Sequence, residues 1–294
     1  MADVDMSGKT VLITGGNSGI GRYTAIGLAR MGAKVVFTSR NLRKGDVARA
    51  ELREIVNKQQ VDCMELNLSS FRSIEQFAKQ FLAKYPRLDV LVLNAGSVLD
   101  TRRVTDEGFE MTFGVNHLGH FFLTQLLRAH LEAASARVVV VASDAHRGAR
   151  SGLNFDDLMF ERAYKGWAAY SASKLANILF ANELGRRFEG VTANSLHPGV
   201  VRTGFARDGD VSNVFARAAI SIARPFLIGP ERGAQTSIYL ASAPELEGKT
   251  GGYYDKCRPG KQIAAAQDDE AAKRLWEVSE ALVEQGLAKR KPKS

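Results

Sequence analysis

Short apolar runs alternate along the chain with longer stretches whose apolar residues recur every three or four positions. TVLITGG (10–16), AKVVFTSR (33–40), VDCMELNL (61–68), LDVLVLNAG (88–96), ARVVVVAS (136–143) and VTANSLHPG (191–199) each predict a strand, and KTGGYYD (249–255) a weaker seventh. Several of these runs are apolar throughout, the pattern of parallel strands covered on both faces. Between them lie segments of helical period such as GRYTAIGLARMG and SIEQFAKQFLAKY. This alternation predicts right-handed crossovers. The expected architecture is α/β, a doubly wound seven-stranded parallel sheet with helices on both faces.

No internal repeat, low-complexity linker or shift of composition divides the chain further. DDEAAKRLWEVSEALVEQG opens on Asp268, Asp269 and Glu270 and spaces Leu275, Val278 and Leu282 at helical intervals. It reaches Gly286, which predicts a docked C-terminal helix over about 268–286. A single domain over 1–288 is expected, with 289–294 a basic, disordered tail.

Composition narrows the classes of function. The chain has 294 residues, 45% apolar and 24% charged, which is ordinary for a globular protein. Half of the net charge of +8 comes from Lys289, Arg290, Lys291 and Lys293 in the tail, and no basic stripe interleaves with aromatics. Nucleic acid is therefore not an expected partner. The longest apolar run, AAISIARPFLIG, is broken by Arg224 and Pro225, short of the ~18 residues of a membrane span. The start MADVDMSGKT shows no signal peptide or anchor, and two cysteines, Cys63 and Cys257, suit a reducing compartment. A cytoplasmic protein is expected.

Three features carry chemistry. Gly15, Asn17, Ser18, Gly19, Ile20 and Gly21 lie in TGGNSGIG, between the first strand and a helix. Glycines there let the backbone approach a pyrophosphate while the free N–H groups of the helix start face its charge. Tyr170 and Lys174 stand four apart, on one face of the helix YSASKLANILFANELGRRF. A cation fixed beside a phenol favours the phenolate and lowers its pKa, which would make Tyr170 a usable acid or base. Ser143 ends a parallel strand, at the sheet edge where ligands bind, and Asn116 is a polar residue in the apolar helix FEMTFGVNHLGHFFLTQLL. Taken singly, each has a plain structural reading: a solvated face, an N-cap, a satisfied buried amide.

Together they are ordered. The glycine turn, Asn94-Ala95-Gly96, Asn116, Ser143, Tyr170-x-x-x-Lys174 and Pro198-Gly199-x-x-x-Thr203 follow one another along the chain. That series resembles the short-chain dehydrogenase/reductase superfamily, over about 8–260, and implies its single Rossmann-fold domain. VNHLGHFFLTQLL, SKLANILFANEL, LHPGVVRT and RLWEVSE look like the branch holding retinol dehydrogenases and protochlorophyllide reductases. The resemblance implies an NADP-dependent oxidoreductase that moves hydride between a nicotinamide and a carbonyl or alcohol. Tyr170 would be the general acid/base, Lys174 would lower its pKa and hold the nicotinamide ribose, and Ser143 would polarise the carbonyl. Asn116 would position a water for a proton relay.

The same resemblance places Asn94, Ala95 and Gly96 against the adenosine ribose, and Pro198, Gly199, Val201 and Thr203 around the nicotinamide carboxamide. Asn67-Leu68 stands where the family usually has Asp-Leu, and the Asn67 amide oxygen would still accept from the adenine amino group. Leu93 replaces a frequent Asn without evident consequence. After the second strand, Ser39 and Arg40 stand where an NAD-binding protein would place a carboxylate. Arg40 can grip a 2′-phosphate, with Lys44 in the loop beyond adding charge, so NADP(H) is the expected cofactor.

The stretch from about 204 to 230 is expected to cover a small, lipophilic substrate with Phe205, Val211, Phe215, Ile220, Ile222 and Phe226. His117 and His120 share a helix without an acidic or Cys partner, and no metal site is expected. The helices around Asn116 and Lys174 are apolar nearly all round, which predicts burial on every side and allows a homodimer or homotetramer. Two rival readings remain: a specialised double-bond reductase on the same scaffold, and an NADP(H)-binding regulatory protein without turnover.

Overall fold

A computed structural model describes residues 4–57, 60–200 and 228–290. The expected strands form as β1 (Thr10–Ile13), β2 (Lys34–Ser39), β3 (Val61–Glu65), β4 (Val90–Leu93), β5 (Arg137–Val141), β6 (Thr192–His197) and β7 (Tyr253–Asp255). They lie side by side in the order β3-β2-β1-β4-β5-β6-β7, all parallel. The order reverses between β1 and β4, and the carboxyl ends of these two strands open the crevice of a doubly wound sheet.

Both faces of the sheet are covered, and the strand sequences show why they had to be. Leu12, Leu91, Val138 and Val140 point into one core, while Val11, Ile13, Val139 and Val141 point into the other. The second core is closed by α1 (Gly19–Arg30), α2 (Leu42–Ile55) and α8 (Pro230–Ser242). The first is closed by α3 (Phe71–Lys84), α5 (Gly119–Leu126), α7 (Gly166–Arg187) and α9 (Asp269–Lys289). Two short helices, α4 (Met111–Phe113) and α6 (Arg128–Ala133), flank α5.

The structure corrects three expectations. The sheet has an eighth strand, β8 (Arg258–Pro259), antiparallel to β7. Lys256 and Cys257 connect the two with φ of 50° and 60°, both left-handed, the geometry of a tight hairpin that usually advertises itself with Asn-Gly. Pro259 sits where the ladder ends, at a position that tolerates a missing donor. The helix around Asn116 is not continuous: Gly114–Leu118 forms a π-turn between α4 and α5, and the Gly119 N–H donates to the Gly114 carbonyl. A β-carbon at Gly119 would collide with the Leu68 carbonyl, so this close approach needs glycine.

The third correction concerns the C-terminal helix. Asp268 caps it, accepting from Ala271 N–H at 2.9 Å, but Gly286 does not end it. Gly286 lies within the helix, where a side chain would run into Phe71 and Phe109. Lys289, expected in the tail, is its last residue; it donates to the Glu107 carbonyl, and Arg290 pairs with Glu75 at 2.8 Å. Residues 291–294 and 204–227, holding the rest of that tail and most of the substrate segment, lie outside the described residues.

Trp276, 2% exposed, packs its ring against Phe121 of α5 and Phe180 of α7, and against Phe188. The buried His117 ring reaches across to Ser279 of α9 at 2.8 Å. The all-round burial that favoured subunit packing is thus met by the chain's own last helix. Among the described residues no helix is long and apolar enough to cross a membrane. Trp276→Ala is expected to cost about 3–5 kcal/mol, since the aromatic cluster cannot collapse into the void. Urea denaturation followed by circular dichroism measures it.

Candidate active site

The glycine turn is built for close approach. Gly15 and Gly19 adopt φ of 69° and 57°, and the Gly15 and Gly16 N–H groups are tied to Thr38, at its hydroxyl and its carbonyl. A β-carbon at Gly21 would press into the Gly15 carbonyl oxygen and the Asn94 amide. Ser18 precedes α1 without a side-chain capping bond, and the first helical bond runs from Arg22 N–H to the Ser18 carbonyl. The N–H groups of Gly19, Ile20 and Gly21 precede that bond, as an anion site at a helix start requires.

A buried hydrogen-bond chain joins this turn to α7. The Thr14 hydroxyl accepts from the N–H groups of Asn94 and Ala95 and lies 2.9 Å from His120 Nε2. His120 Nδ1 lies 3.1 Å from the Asn116 carbonyl. A carbonyl only accepts, so Nδ1 carries the proton and Nε2 accepts from Thr14. Burial pushes His120 down to about 4, which keeps the ring neutral. Asn116 then uses both ends of its amide: Oδ1 accepts from Ser97 N–H at 2.7 Å, and Nδ2 donates to the Ser97 carbonyl and Ser173 hydroxyl. Ser173 in turn donates to the Tyr170 carbonyl at 2.8 Å.

The structure brings Ser143, Tyr170 and Lys174 together at the carboxyl end of β5. Ser143 caps a short turn, Asp144–Gly148, accepting from Ala145 N–H, and its hydroxyl bonds the Tyr170 phenol. Its carbonyl is held by the fully buried His146, with Nδ1 at 2.7 Å. Lys174 is buried, donating to the Val141 carbonyl at 3.0 Å, and its ammonium lies 5.6 Å from the centre of the Tyr170 ring. A side chain at Gly96 would reach within 3.2 Å of the Asn116 amide and 3.6 Å of Lys174 Nζ, so glycine keeps that wall thin.

The titration behaviour differs from expectation. Burial raises the Tyr170 phenol to about 12, with the Ser143 bond pulling the other way, and burial lowers Lys174 to about 8. Desolvation disfavours both charged forms and outweighs the depression of Tyr170 that the spacing predicts. Near neutral pH the site holds a protonated phenol beside an ammonium.

Other predicted contacts are placed differently from the expectation. Asn94 donates both amide hydrogens to the Thr14 and Gly15 carbonyls, which makes it a brace of the glycine turn. The Asn67 amide oxygen already accepts from the Ser69 N–H and hydroxyl, and what remains to face a ligand is its donor end. Leu68 is core. Gly199 has a φ of 86° beside Pro198 at the end of β6, while Val201 and Thr203 lie outside the described residues.

Arg40 is exposed at the end of β2. Lys44 is not in a loop; it lies in the first turn of α2, its N–H bonded to Asn41. Beside it a cavity of ≈ 420 Å³ is lined by Asn17, Arg22, Arg43, Lys44, Val47, Ala48 and Glu51, with Arg22 paired to Glu51 at 2.6 Å. His117 and His120 reach in different directions, to Ser279 and Thr14, and among the described residues no group of His, Cys, Asp or Glu is set to hold a metal.

Sequence reasoning missed Thr14, Ser97, Ser173, His120 and His146. His120 was within reach, being one helical turn from Asn116, and Ser173 lies inside the Tyr–Lys motif. His146 lies three residues from Ser143, whereas Thr14 and Ser97 bond partners distant in sequence, which no local pattern reveals.

Residues 9–155 match the family model of the short chain dehydrogenases. The chain belongs to the short-chain dehydrogenase family, and it is an enzyme, an oxidoreductase of the retinol dehydrogenase-like branch. It is 44% identical to human (Homo sapiens) retinol dehydrogenase 14 over 97% of this chain and 88% of that protein. It is 42% identical to the WW domain-containing oxidoreductase of Gallus gallus, over 98% of this chain and 71% of the relative. A crystal structure of an uncharacterized protein from Mycobacterium Paratuberculosis superposes with a TM-score of 0.76 at 34% identity, covering 96% of each chain.

Gly21→Ala is expected to weaken binding of a nicotinamide dinucleotide about tenfold or more, because the added carbon displaces the glycine turn. Titration of NADPH fluorescence against the purified variant reads the loss.

Proposed function

We propose that the enzyme is an NADP(H)-dependent reductase or dehydrogenase acting on a carbonyl or alcohol of a small, lipophilic compound. The observation that carries this reading is the triad itself: a protonated Tyr170 phenol bonded to Ser143, with the Lys174 ammonium buried beside it. The similarity to proteins named retinol dehydrogenases supports a lipophilic alcohol or aldehyde as substrate.

The nucleotide fits the residues present. Gly21 leaves a cradle that a β-carbon would fill, the first turn of α1 has donors ahead of its first bond, and the strand that follows ends without a carboxylate. Arg40, Arg43 and Lys44 would receive a 2′-phosphate, and Asn17 and Ser18 the pyrophosphate side. Ala95, Gly96, Tyr170, Lys174, Pro198 and Gly199 would border the nicotinamide half, together with Val201 and Thr203. When bound, the nicotinamide supplies or accepts the hydride.

The chain's own part is to orient the substrate oxygen and to move one proton. Ser143 Oγ and Tyr170 Oη converge on the position of that oxygen, and the phenol, protonated at rest, gives up its proton as negative charge develops. Lys174, a fixed ammonium in a dry site, stabilises the phenolate left behind more than it could in water. In the oxidative direction the same phenol must first lose its proton, which its raised pKa opposes. Cys63 is buried against Gly45 with its thiol raised to about 12, so it offers no second acid for a double-bond reductase. Two free cysteines support a cytoplasmic setting.

Tyr170→Phe is expected to lower kcat for aldehyde reduction by about 10²–10⁴-fold with NADPH affinity unchanged. In the wild type, kcat/KM for reduction falls above about pH 8, as Lys174 loses its charge in the free enzyme. Full activity of Tyr170→Phe would refute the assignment of Tyr170 as the acid. Arg40→Asp is expected to shift the ratio of kcat/KM for NADPH over NADH by about tenfold or more towards NADH, measured by initial rates. An unchanged ratio refutes the role given to Arg40.

A further inference from the structure

Trp167, Tyr170 and Lys174 form a stripe along α7, spaced one helical turn apart on one face. Their exposure falls steeply along it. Trp167 is 65% exposed, Tyr170 is half-buried and Lys174 is 3% exposed. The inner end of the stripe adjoins Gly96 and, through it, Asn116, where the nucleotide cradle ends. The outer end faces solvent. A substrate whose oxygen reaches Tyr170 and Ser143 therefore has the rest of its body at the outer end.

Trp167 is the one aromatic among the large apolar residues that the described part of the chain leaves exposed. Its ring centre lies 5.8 Å from that of Tyr170, tilted by 42°. Its indole nitrogen would be 3.5 Å from a β-carbon at Gly148, in the turn that Ser143 caps. The ring thus bridges the rim between the two elements that carry the hydroxyls of the site. An exposed indole costs hydration energy and adds nothing here to the core. An aromatic face held beside a reacting group is what a flat π-surface packs against.

We propose that Trp167 is a specificity-determining residue, a stacking platform that selects aryl carbonyl compounds and benzylic alcohols over flexible aliphatic ones. The inference rests on the carbonyl-reductase reading given above and adds to it the shape of the substrate beside the reacting carbon. The contact is made equally in the ground state and the transition state, so it acts on KM and leaves kcat alone.

The test uses 4-nitrobenzaldehyde and hexanal as paired probes. Trp167→Ala is expected to raise KM for 4-nitrobenzaldehyde about tenfold, with kcat, KM for NADPH and KM for hexanal held within about twofold. Trp167→Phe restores most of the loss, since it keeps a ring on the rim. A second readout does not need turnover. The chain has two tryptophans, and Trp276 is buried in the aromatic cluster far along the chain, so quenching by a ligand at the site reports Trp167. In Tyr170→Phe with NADP+ present, 4-nitrobenzaldehyde should quench indole fluorescence saturably and hexanal should not.

Equal effects of Trp167→Ala on both aldehydes, no effect on either, or quenching that rises linearly without saturation would overturn the platform. If the wild type reduces neither aldehyde, the proposed function fails by itself. The quenching curve then still decides about Trp167: saturation upholds the platform and linearity removes it.

Discussion

One hydroxyl, that of Thr14, holds the two halves of the site in register. It is fully buried, where no water can replace a lost partner, and it serves two backbone donors and one imidazole at once. Through the backbone donors it fixes the strand end that carries Asn94, Ala95 and Gly96. Through His120 it fixes Asn116, and through Asn116 and Ser173 it reaches the backbone of Tyr170. The glycine turn and Tyr170 therefore share one polar framework, each member of which is costly to leave unsatisfied. The π-turn at Gly114–Leu118 belongs to the same framework, since it presents Asn116 sideways to Ser97 while α5 continues beyond.

Burial also governs the chemistry. A cation four residues from a phenol favours the phenolate, but burial of the phenol itself works against that charge. Here the ammonium is nearly dry, satisfied by the Val141 carbonyl, and both groups are pushed towards their neutral forms. The resting site accordingly holds a protonated phenol with a positive charge close beside it. That arrangement suits proton delivery to a carbonyl better than proton removal from an alcohol.

Much of this was legible in the sequence because it depends on local pattern. Apolar runs fixed the strands, the glycines fixed the turn, and the four-residue spacing fixed the Tyr170–Lys174 face. The failures share a cause: they depend on what comes near from elsewhere. Lys256-Cys257 folds as a hairpin turn without a turn's usual residues, so β8 left no trace. Gly286 looked like a helix stop and is a packing site for Phe71. Asn94 carries the residue type expected of a ligand contact, yet the distant Thr14 and Gly15 carbonyls claim its amide hydrogens. Periodicity also could not separate a π-turn from the helices that flank it, because apolar residues line all three.

The docking of α9 also has a meaning in time. Ribosomes release this helix after α5 and α7, whose faces it covers, and its contact between His117 and Ser279 spans 162 of the 294 residues. Until α9 emerges, Phe121 and Phe180 have no Trp276 to cover them. The nascent sheet can assemble around β1, β4 and β5, but its most apolar helical surface stays open to other chains. The docking of α9 closes that period of vulnerability.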